Sequence, residues 1–182
     1  MISHRYKFIS VHTNKCAAST MEFTLNPFCD VKVDKHANLI QQLRLADKTY
    51  FKFTFVRNPW DKMVSQYHFN SRDFFPHGID FYSYINQFYT GKKVSNLNPL
   101  HHPWILDETG TVCIDFVGKF HRLQEDFNHI SNILDLPEMT LPHKNKTNHR
   151  HYTEYYNEET KEMVADIFKK DIELFDLNFF NE

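Results

Sequence analysis

The stretch FKFTFVRNPWDKMVSQY, residues 51–67, predicts a buried strand that runs directly into a helix. Residues 51–56 are rich in aromatic and β-branched side chains, which is typical of a strand covered on both faces. Asn58 is placed to cap a helix whose first residue is Pro59, where the missing N–H costs nothing. The stretch therefore predicts a strand that carries Arg57 to the start of a helix.

The predicted helix has one apolar stripe, and its polar residues lie on the other side. The stripe has the helical spacing i, i+3, i+4, i+7 and consists of Trp60, Met63, Val64 and Tyr67. Ser65 lies about 9 Å from Pro59 along the axis of the predicted helix. The flexible Arg57 guanidinium and the Ser65 hydroxyl could therefore bind the same phosphate. The alternative is that Arg57 pairs with a neighbouring carboxylate and Ser65 faces solvent.

A second strand, loop and helix start lie near the beginning of the chain. KFISVH, residues 7–12, predicts the first strand of a parallel sheet. TNKCAAST, residues 13–20 and called the anion loop below, is small and polar, and it leads into a helix. Free backbone N–H groups at such a helix start favour a phosphate, and Lys15 adds a positive charge.

Both segments resemble motifs of the sulfotransferases that use 3′-phosphoadenosine 5′-phosphosulfate (PAPS), in the carbohydrate sulfotransferase branch. FVRNPWDKMVSQY is similar to the family's 3′-phosphate-binding segment, which implies that Arg57 and Ser65 hold the 3′-phosphate. The anion loop resembles the family's 5′-phosphosulfate loop, with Lys15 as a catalytic and binding lysine. The loop residues so implied in binding the co-substrate are Lys15, Cys16, Ala17, Ala18, Ser19 and Thr20.

The anion loop departs from the family pattern at several positions. Asn14 stands where Pro is common, and Ala17 and Ala18 stand where Gly is frequent. Because alanine does not enter positive φ cheaply, we expect a tight loop without left-handed residues.

The resemblance implies two further sets of functional residues. A His between the phosphosulfate loop and the Arg-bearing strand serves as general base in members that sulfate sugars, and His36 occupies that position, opening a predicted helix. The alternative is that His36 is a surface residue at a helix start. His68, His101 and His102 are competing candidates for the general base. The basic run HKNKTNHRHY, residues 143–152, resembles a late segment that closes over the nucleotide, which adds Lys146, Thr147 and Arg150 as phosphate contacts.

Other elements follow from local patterns. Residues 104–107 and 111–118 predict two strands around a turn, and residues 80–89 and 123–134 predict amphipathic helices. Asn157 is expected to cap one final helix whose apolar side runs to Phe175. Residues 90–103 predict a long loop beside the acceptor.

Composition and sequence patterns argue against several classes of protein. The 182 residues suit one domain, and 21 Lys and Arg against 23 Asp and Glu do not indicate nucleic-acid binding. Three separated cysteines argue against a disulfide framework, and no apolar run suits a signal peptide or a membrane span. We therefore expect a cytoplasmic protein. Because sulfotransferases of the animal secretory pathway carry a membrane anchor, the resemblance implies a bacterial or similar cytoplasmic enzyme, or a trimmed catalytic domain. A zinc site at His143, His149 and His151 lacks a recognised ligand spacing.

The predicted fold class is α/β, a single domain over residues 1–182 with a central parallel sheet flanked by helices. The resemblance implies a P-loop-kinase-like sulfotransferase fold and a sulfotransferase that moves a sulfuryl group from PAPS to a hydroxyl of a carbohydrate acceptor. No metal is expected. A homodimer could supply residues that complete the walls of the acceptor site. The alternatives are a nucleotide or small-molecule kinase, although the chain lacks GxxxxGK[ST], and a non-catalytic nucleotide-binding module.

Overall fold

The computed structural model describes residues 1–31, 33–34, 37–73, 75, 78–91, 98–142 and 149–180, with the backbone alone for residues 71–73. In chain order the elements are β1 (Ile2–Ser3), β2 (Phe8–Val11), α1 (Ala18–Leu25), α2 (Leu39–Leu43), β3 (Phe51–Val56), α3 (Pro59–Asp73), α4 (Phe81–Tyr89), β4 (Phe116–Lys119), α5 (Leu123–Ile133), α6 (Glu158–Ile167) and α7 (Lys169–Phe175).

The chain forms two compact units, which are described separately. The first unit comprises Met1–Val56 with Leu100–Lys144, and the second comprises Arg57–Pro99 with Asn145–Glu182. The first unit contains the sheet, and the second contains α3, α4, α6 and α7. The single domain expected over residues 1–182 stays a prediction.

The sheet of the first unit has the strand order β1-β2-β3-β4. β2 pairs in parallel with β3, and β3 pairs in parallel with β4, while β1 adds an antiparallel edge strand that the sequence analysis missed. β2 is buried along its whole length, as is β3 after Phe51, which explains their nearly continuous apolar sequence. The predicted α/β class, with a mostly parallel sheet flanked by helices, is confirmed.

The core of the first unit joins the sheet to α1 and α5. The two helices bury apolar side chains against the phenylalanines of the strands, and the buried cluster consists of Phe8, Cys16, Met21, Leu25, Phe53, Phe55, Phe127, Ile130, Leu134 and Leu136. The rings of Phe53 and Phe55 meet edge to face with centroids 6.5 Å apart. The core therefore holds α1, and with it the anion loop, against the strands.

The second unit is built on α3. The amide oxygen of Asn58 accepts from the backbone N–H of Trp60 at 3.0 Å, which confirms the predicted cap. Trp60 donates its indole N–H to the carbonyl of Lys161 at 3.0 Å, and this bond ties α3 to α6. Tyr84 of α4 is fully buried, and its hydroxyl accepts from Asn70 of α3 at 2.9 Å. Aromatic side chains with satisfied polar ends thus join these helices.

The two strands expected at residues 104–107 and 111–118 are wrong in extent. One bridge joins Leu106 to Val112, and the paired strand begins only at Phe116. The Asp107 carboxylate accepts from the backbone N–H groups of Thr109 at 2.9 Å and Thr111 at 3.1 Å. This side-chain turn takes donors that a longer strand would need.

The single final helix is also wrong, because α6 and α7 are separated at Phe168. Asn157 caps α6 as expected, and its amide oxygen accepts from Thr160 N–H at 2.8 Å. Phe168 has φ −103° and ψ 15° and is fully buried. These dihedrals depart from α-helical values, so the regular helix is interrupted at this buried residue.

The helix expected to open at His36 begins instead at Leu39. Asn38 and Gln41 form a reciprocal capping box, which sets the start of α2. His36 itself lies outside the described residues.

Gly118 lies where β4 passes closest to the ring of Phe55. A Cβ on Gly118 would lie 2.5 Å from Cδ1 of Phe55, which is itself buried in the core. We expect Gly118→Ala to lower the free energy of unfolding by about 1–3 kcal/mol because the ring must move. Urea denaturation measures this change. Phe55→Leu in the same chain provides the control: the double variant should lose less than the sum of the single losses. Additive losses would contradict the proposed clash.

Candidate functional site

The anion loop connects β2 to α1 and contains two left-handed residues. Lys15 has φ 60°, and Ala17 has φ 58° with ψ 22°. The expectation of a loop without left-handed residues is therefore wrong. Ala17 stands at the N-cap of α1, and Ala18 begins the helix. A left-handed residue followed by a helical one turns successive N–H groups to the same side, which is the backbone geometry of an anion-binding nest.

Contacts within the first unit hold this strained backbone. Non-glycine residues at positive φ cost about 1–3 kcal/mol each, so they persist where their surroundings fix them. The Thr13 hydroxyl donates to the carbonyl of Phe55 at 2.8 Å, and the Thr20 hydroxyl donates to that of Pro142 at 3.3 Å. The Cys16 thiol donates to the carbonyl of Asn14 at 3.2 Å. The loop is thus anchored to other segments at its beginning and end, whereas the Cys16 bond lies within the loop.

The side chains of the anion loop divide into two groups. Cys16 packs in the hydrophobic core, and Thr20 is 5 % exposed with its hydroxyl bonded to protein. These two residues can offer a ligand their backbone groups. Lys15, Ala17 and Ser19 are partly exposed, so their side chains face accessible space. The charge of Lys15 and the N–H groups of the first turn of α1 are the chemically useful groups here.

Arg57 and Ser65 belong to the second unit. The Arg57 guanidinium binds the Asp61 carboxylate through two bonds, Nε to Oδ2 at 2.5 Å and Nη2 to Oδ1 at 2.8 Å. The Arg57 side chain is 11 % exposed, and Ser65 is 6 % exposed. The carboxylate pairing that the sequence left open is therefore present, whereas a solvent-facing Ser65 is wrong.

The polar side of α3 is buried, which its sequence did not predict. Lys62 is fully buried and Gln66 is 3 % exposed, in addition to Ser65. Among the described residues, Oε1 of Gln66 has no hydrogen-bond partner. Buried polar atoms normally have one, and exceptions often mark a site that meets a ligand or water.

Arg150 also lies in the second unit. Its guanidinium carbon lies 5.1 Å from the centroid of the Tyr155 ring, and the Tyr155 hydroxyl lies 2.8 Å from Nε2 of His68. His68 follows Ser65 by three residues on α3, so the two share a helix face. Arg150 is thus connected to that face through Tyr155. Lys146 and Thr147 lie outside the described residues, as do His143 and Lys144.

The first unit contains a cavity of about 470 Å³, which is lined by residues that flank the anion loop in the sequence. His12 immediately precedes the loop and Glu22 follows it on α1, and both line the cavity. Asn26, Asp34 and Gln42 add further polar groups. Three residues span at most about 11 Å of chain, so His12 lies close to Lys15. The sequence analysis did not single out these lining residues, because polar side chains beside a loop carry no distinguishing pattern.

Cys29 lines the same cavity but is not poised as a nucleophile. Burial raises the pKa of the Cys29 thiol to about 11. The thiol therefore stays protonated at neutral pH, and the thiolate is the reactive form. Among the described residues, no group of three His, Cys, Asp or Glu side chains is placed to hold a metal ion. Within those same residues, no helix combines the length and apolar character needed to cross a membrane.

The left-handed conformation of Ala17 can be tested by comparing two neighbouring alanine-to-glycine substitutions. We expect Ala17→Gly to be neutral or to raise the free energy of unfolding by about 1 kcal/mol, because glycine relieves the positive φ. Ala18→Gly, one residue later inside α1, should lower it by about 0.5–1 kcal/mol. Thermal or urea unfolding of both variants measures the difference. Equal losses in the two variants would contradict a left-handed Ala17.

Comparison with known proteins indicates the family to which this chain belongs. A family model described as "Sulfotransferase family" matches residues 1–178. An uncharacterized protein of the archaeon Archaeoglobus fulgidus is 30% identical over 91 residues, which cover 49% of this chain and 71% of the relative. No solved structure gives a significant match. The loop that follows β2, the strand-to-helix passage at Arg57 and the match over nearly the whole chain together show that the protein belongs to the sulfotransferase family.

Proposed function

We propose that the protein transfers a sulfuryl group from PAPS to a hydroxyl of a carbohydrate acceptor. Family membership supports sulfotransferase activity in general. The observation that carries the specific proposal is the anion loop, where a left-handed Ala17 meets the start of α1 and Lys15 is partly exposed. A backbone nest with an adjacent positive charge suits the 5′-phosphosulfate. Cys16, Ala18, Ser19 and Thr20 complete the proposed binding loop.

The proposed reaction is an in-line displacement at sulfur. The acceptor oxygen forms a new bond to sulfur while the bond from sulfur to the 5′-phosphate oxygen breaks. The departing 3′,5′-adenosine bisphosphate gains negative charge, which Lys15 and the N–H groups of the loop stabilise. The acceptor hydroxyl gives its proton to a general base, for which we propose His36. His36 follows Asp34, a residue that lines the cavity, by two positions.

We propose that Arg57 and Ser65 bind the 3′-phosphate, with Lys146, Thr147 and Arg150 as further contacts. The two bonds to Asp61 fix the direction of the Arg57 guanidinium before any ligand arrives. A guanidinium with a fixed orientation loses less freedom on binding, which favours selective recognition of a phosphate. The burial of Ser65 suits a hydroxyl that contacts a ligand in a shielded place. This arrangement should discriminate against nucleotides that lack a 3′-phosphate.

The proposed acceptor is supported by the cavity that is lined by His12 and Glu22. Its volume of about 470 Å³ falls within the range of small-molecule sites. Asn26, Gln42 and the carboxylates of Glu22 and Asp34 offer donors and acceptors that match the hydroxyl groups of a sugar. His12, which lines the cavity, directly precedes the loop that we assign to the phosphosulfate, so a hydroxyl bound in the cavity is our candidate for the attacking group.

Calorimetric titration tests the co-substrate. Wild-type protein should bind 3′,5′-adenosine bisphosphate more tightly than 5′-AMP, and ATP with Mg²⁺ should bind weakly. Arg57→Ala should weaken bisphosphate binding by about 10- to 100-fold, since a hydrogen bond to a charged group contributes about 1.5–3 kcal/mol. Its affinity for 5′-AMP should change little, because 5′-AMP lacks the 3′-phosphate.

Arg122→Ala is the matched control for this titration. Arg122 also pairs with a carboxylate four residues later, Asp126, at 3.1 Å, but it lies in the first unit and is half exposed. We expect its bisphosphate affinity to equal that of wild type. A wild type that prefers ATP with Mg²⁺ would contradict the proposal and favour a kinase.

Lys15 provides a test of catalysis. We expect Lys15→Met to lower the rate of bisphosphate release from PAPS, over a panel of carbohydrate acceptors, by about 100- to 1,000-fold. Lys48→Met, which alters an exposed lysine of the same unit, should leave that rate unchanged. Chromatography of the released nucleotide measures the rate. Bisphosphate binding by wild type without transfer to any acceptor would favour a non-catalytic binding module.

A further inference from the structure

His101 is a completely buried histidine in contact with the anion loop, although it stands 81 residues after Thr20 in the chain. Its Nδ1 lies 3.3 Å from the Thr13 hydroxyl and 3.8 Å from the Cys16 sulfur. All three residues belong to the first unit. One ring nitrogen therefore bridges two positions of the loop.

The other bonds of Thr13 and Cys16 determine which atom carries the bridging proton. The Thr13 hydroxyl donates to the carbonyl of Phe55, and the Cys16 thiol donates to the carbonyl of Asn14. Since both hydrogens are directed to carbonyl oxygens, the oxygen and the sulfur can act toward His101 as acceptors. Nδ1 of His101 is then the donor to both, which selects the tautomer protonated at Nδ1.

The contacts of His101 with Thr13 and Cys16, called the bridge below, lie on either side of the strained part of the loop. Thr13 precedes Lys15 by two residues, and Cys16 follows it directly, so His101 contacts the chain on both sides of the left-handed Lys15. A strained backbone persists where neighbouring contacts hold it. Without the bridge, the segment around Lys15 would lose a contact that connects it to the rest of the unit.

The His101 ring is itself held in place by its backbone. The carbonyl of His101 accepts from the N–H of Trp104 at 3.1 Å, which closes a short 3-10 helix at His102–Trp104. Ile105, at the end of this turn, is fully buried. The ring is therefore presented to the loop from a fixed point in the unit.

We infer that His101 is a positioning residue that holds Lys15 and the N–H groups of the anion loop in the geometry needed to bind the 5′-phosphate end of the co-substrate. The inference rests on the proposed function for the identity of that ligand. His101 acts through Thr13 and Cys16 and takes no proton from the acceptor.

Two substitutions separate this role from simple packing. Asparagine places an amide N–H near the position of Nδ1, whereas glutamine places its amide near Nε2. We expect His101→Gln and His101→Ala to raise the dissociation constant for 3′,5′-adenosine bisphosphate about tenfold, with His101→Asn within about threefold of wild type. Equal effects of Asn and Gln would overturn the assigned donor.

Hydrogen exchange followed by mass spectrometry provides a readout that does not depend on the ligand. In His101→Ala, the peptide covering residues 12–22 should exchange faster than in wild type, while peptides from α5 should be unchanged. His129→Gln, an exposed histidine on α5, should alter neither exchange nor binding. Faster exchange throughout the first unit would overturn a local role and indicate general destabilisation.

Thr13→Val keeps the test valid if His101→Ala fails to fold. It removes the hydroxyl that accepts from His101, so it should raise the same dissociation constant, and adding His101→Gln, which alone is expected to raise it about tenfold, should then have little further effect. Additive effects would overturn the bridge. If wild type binds the bisphosphate while every His101 variant binds equally well, the inference fails and the proposed function stands. If wild type does not bind it, the proposed function fails, whereas the exchange experiment still tests the bridge formed by His101.

Discussion

Two buried threonine hydroxyls fix the ends of β2 and β3 against each other, and the anion loop depends on this contact. Thr54 donates to the carbonyl of Val11 at 2.8 Å, and Thr13 donates to the carbonyl of Phe55 at 2.8 Å. Each hydroxyl therefore reaches across from its own segment to the other. The parallel register pairs Val11 with Thr54, so the Thr54 bond lies at the last pair of the two strands and the Thr13 bond extends the contact just beyond it. The chain consequently leaves β2 in a defined direction.

The absence of glycine from the anion loop becomes understandable from this anchoring. A glycine-rich loop enters left-handed conformations at little cost, but it is also more disordered before a ligand binds. Here Lys15 and Ala17 take those conformations with a Cβ present, and the core residue Cys16 lies between them. The strain is offset by burial and by the bonds of Thr13 and Thr20. A loop built in this way is more nearly fixed in advance, which reduces the ordering that ligand binding requires.

The features that could be predicted are those that the local sequence determines. β3, the Asn58 cap and the buried stripe of α3 follow from residue type and spacing, since each depends on neighbours within one or two turns. The left-handed Ala17 could not be predicted, because alanine disfavours positive φ and the compensating contacts come from distant segments. The break at Phe168 could not be predicted either, since no Pro or Gly stands near it in the sequence. The sequence offered His101 only as a competing candidate for the general base, because the contacts behind its positioning role join residues more than 80 positions apart.

The Arg57 and Asp61 pair changes how the proposed 3′-phosphate site must work. A lone buried arginine would attract a phosphate by its charge, but it would also be costly to bury. The bidentate contact with Asp61 makes the pair neutral overall and lowers that cost. The pair then contributes a fixed donor geometry more than a net attraction. Long-range attraction for an anionic nucleotide has to come from other groups, of which Lys15 and the dipole of α1 are candidates. Discrimination at Arg57 should accordingly depend on shape and hydrogen bonding, and less on salt concentration than recognition by an unpaired cation would.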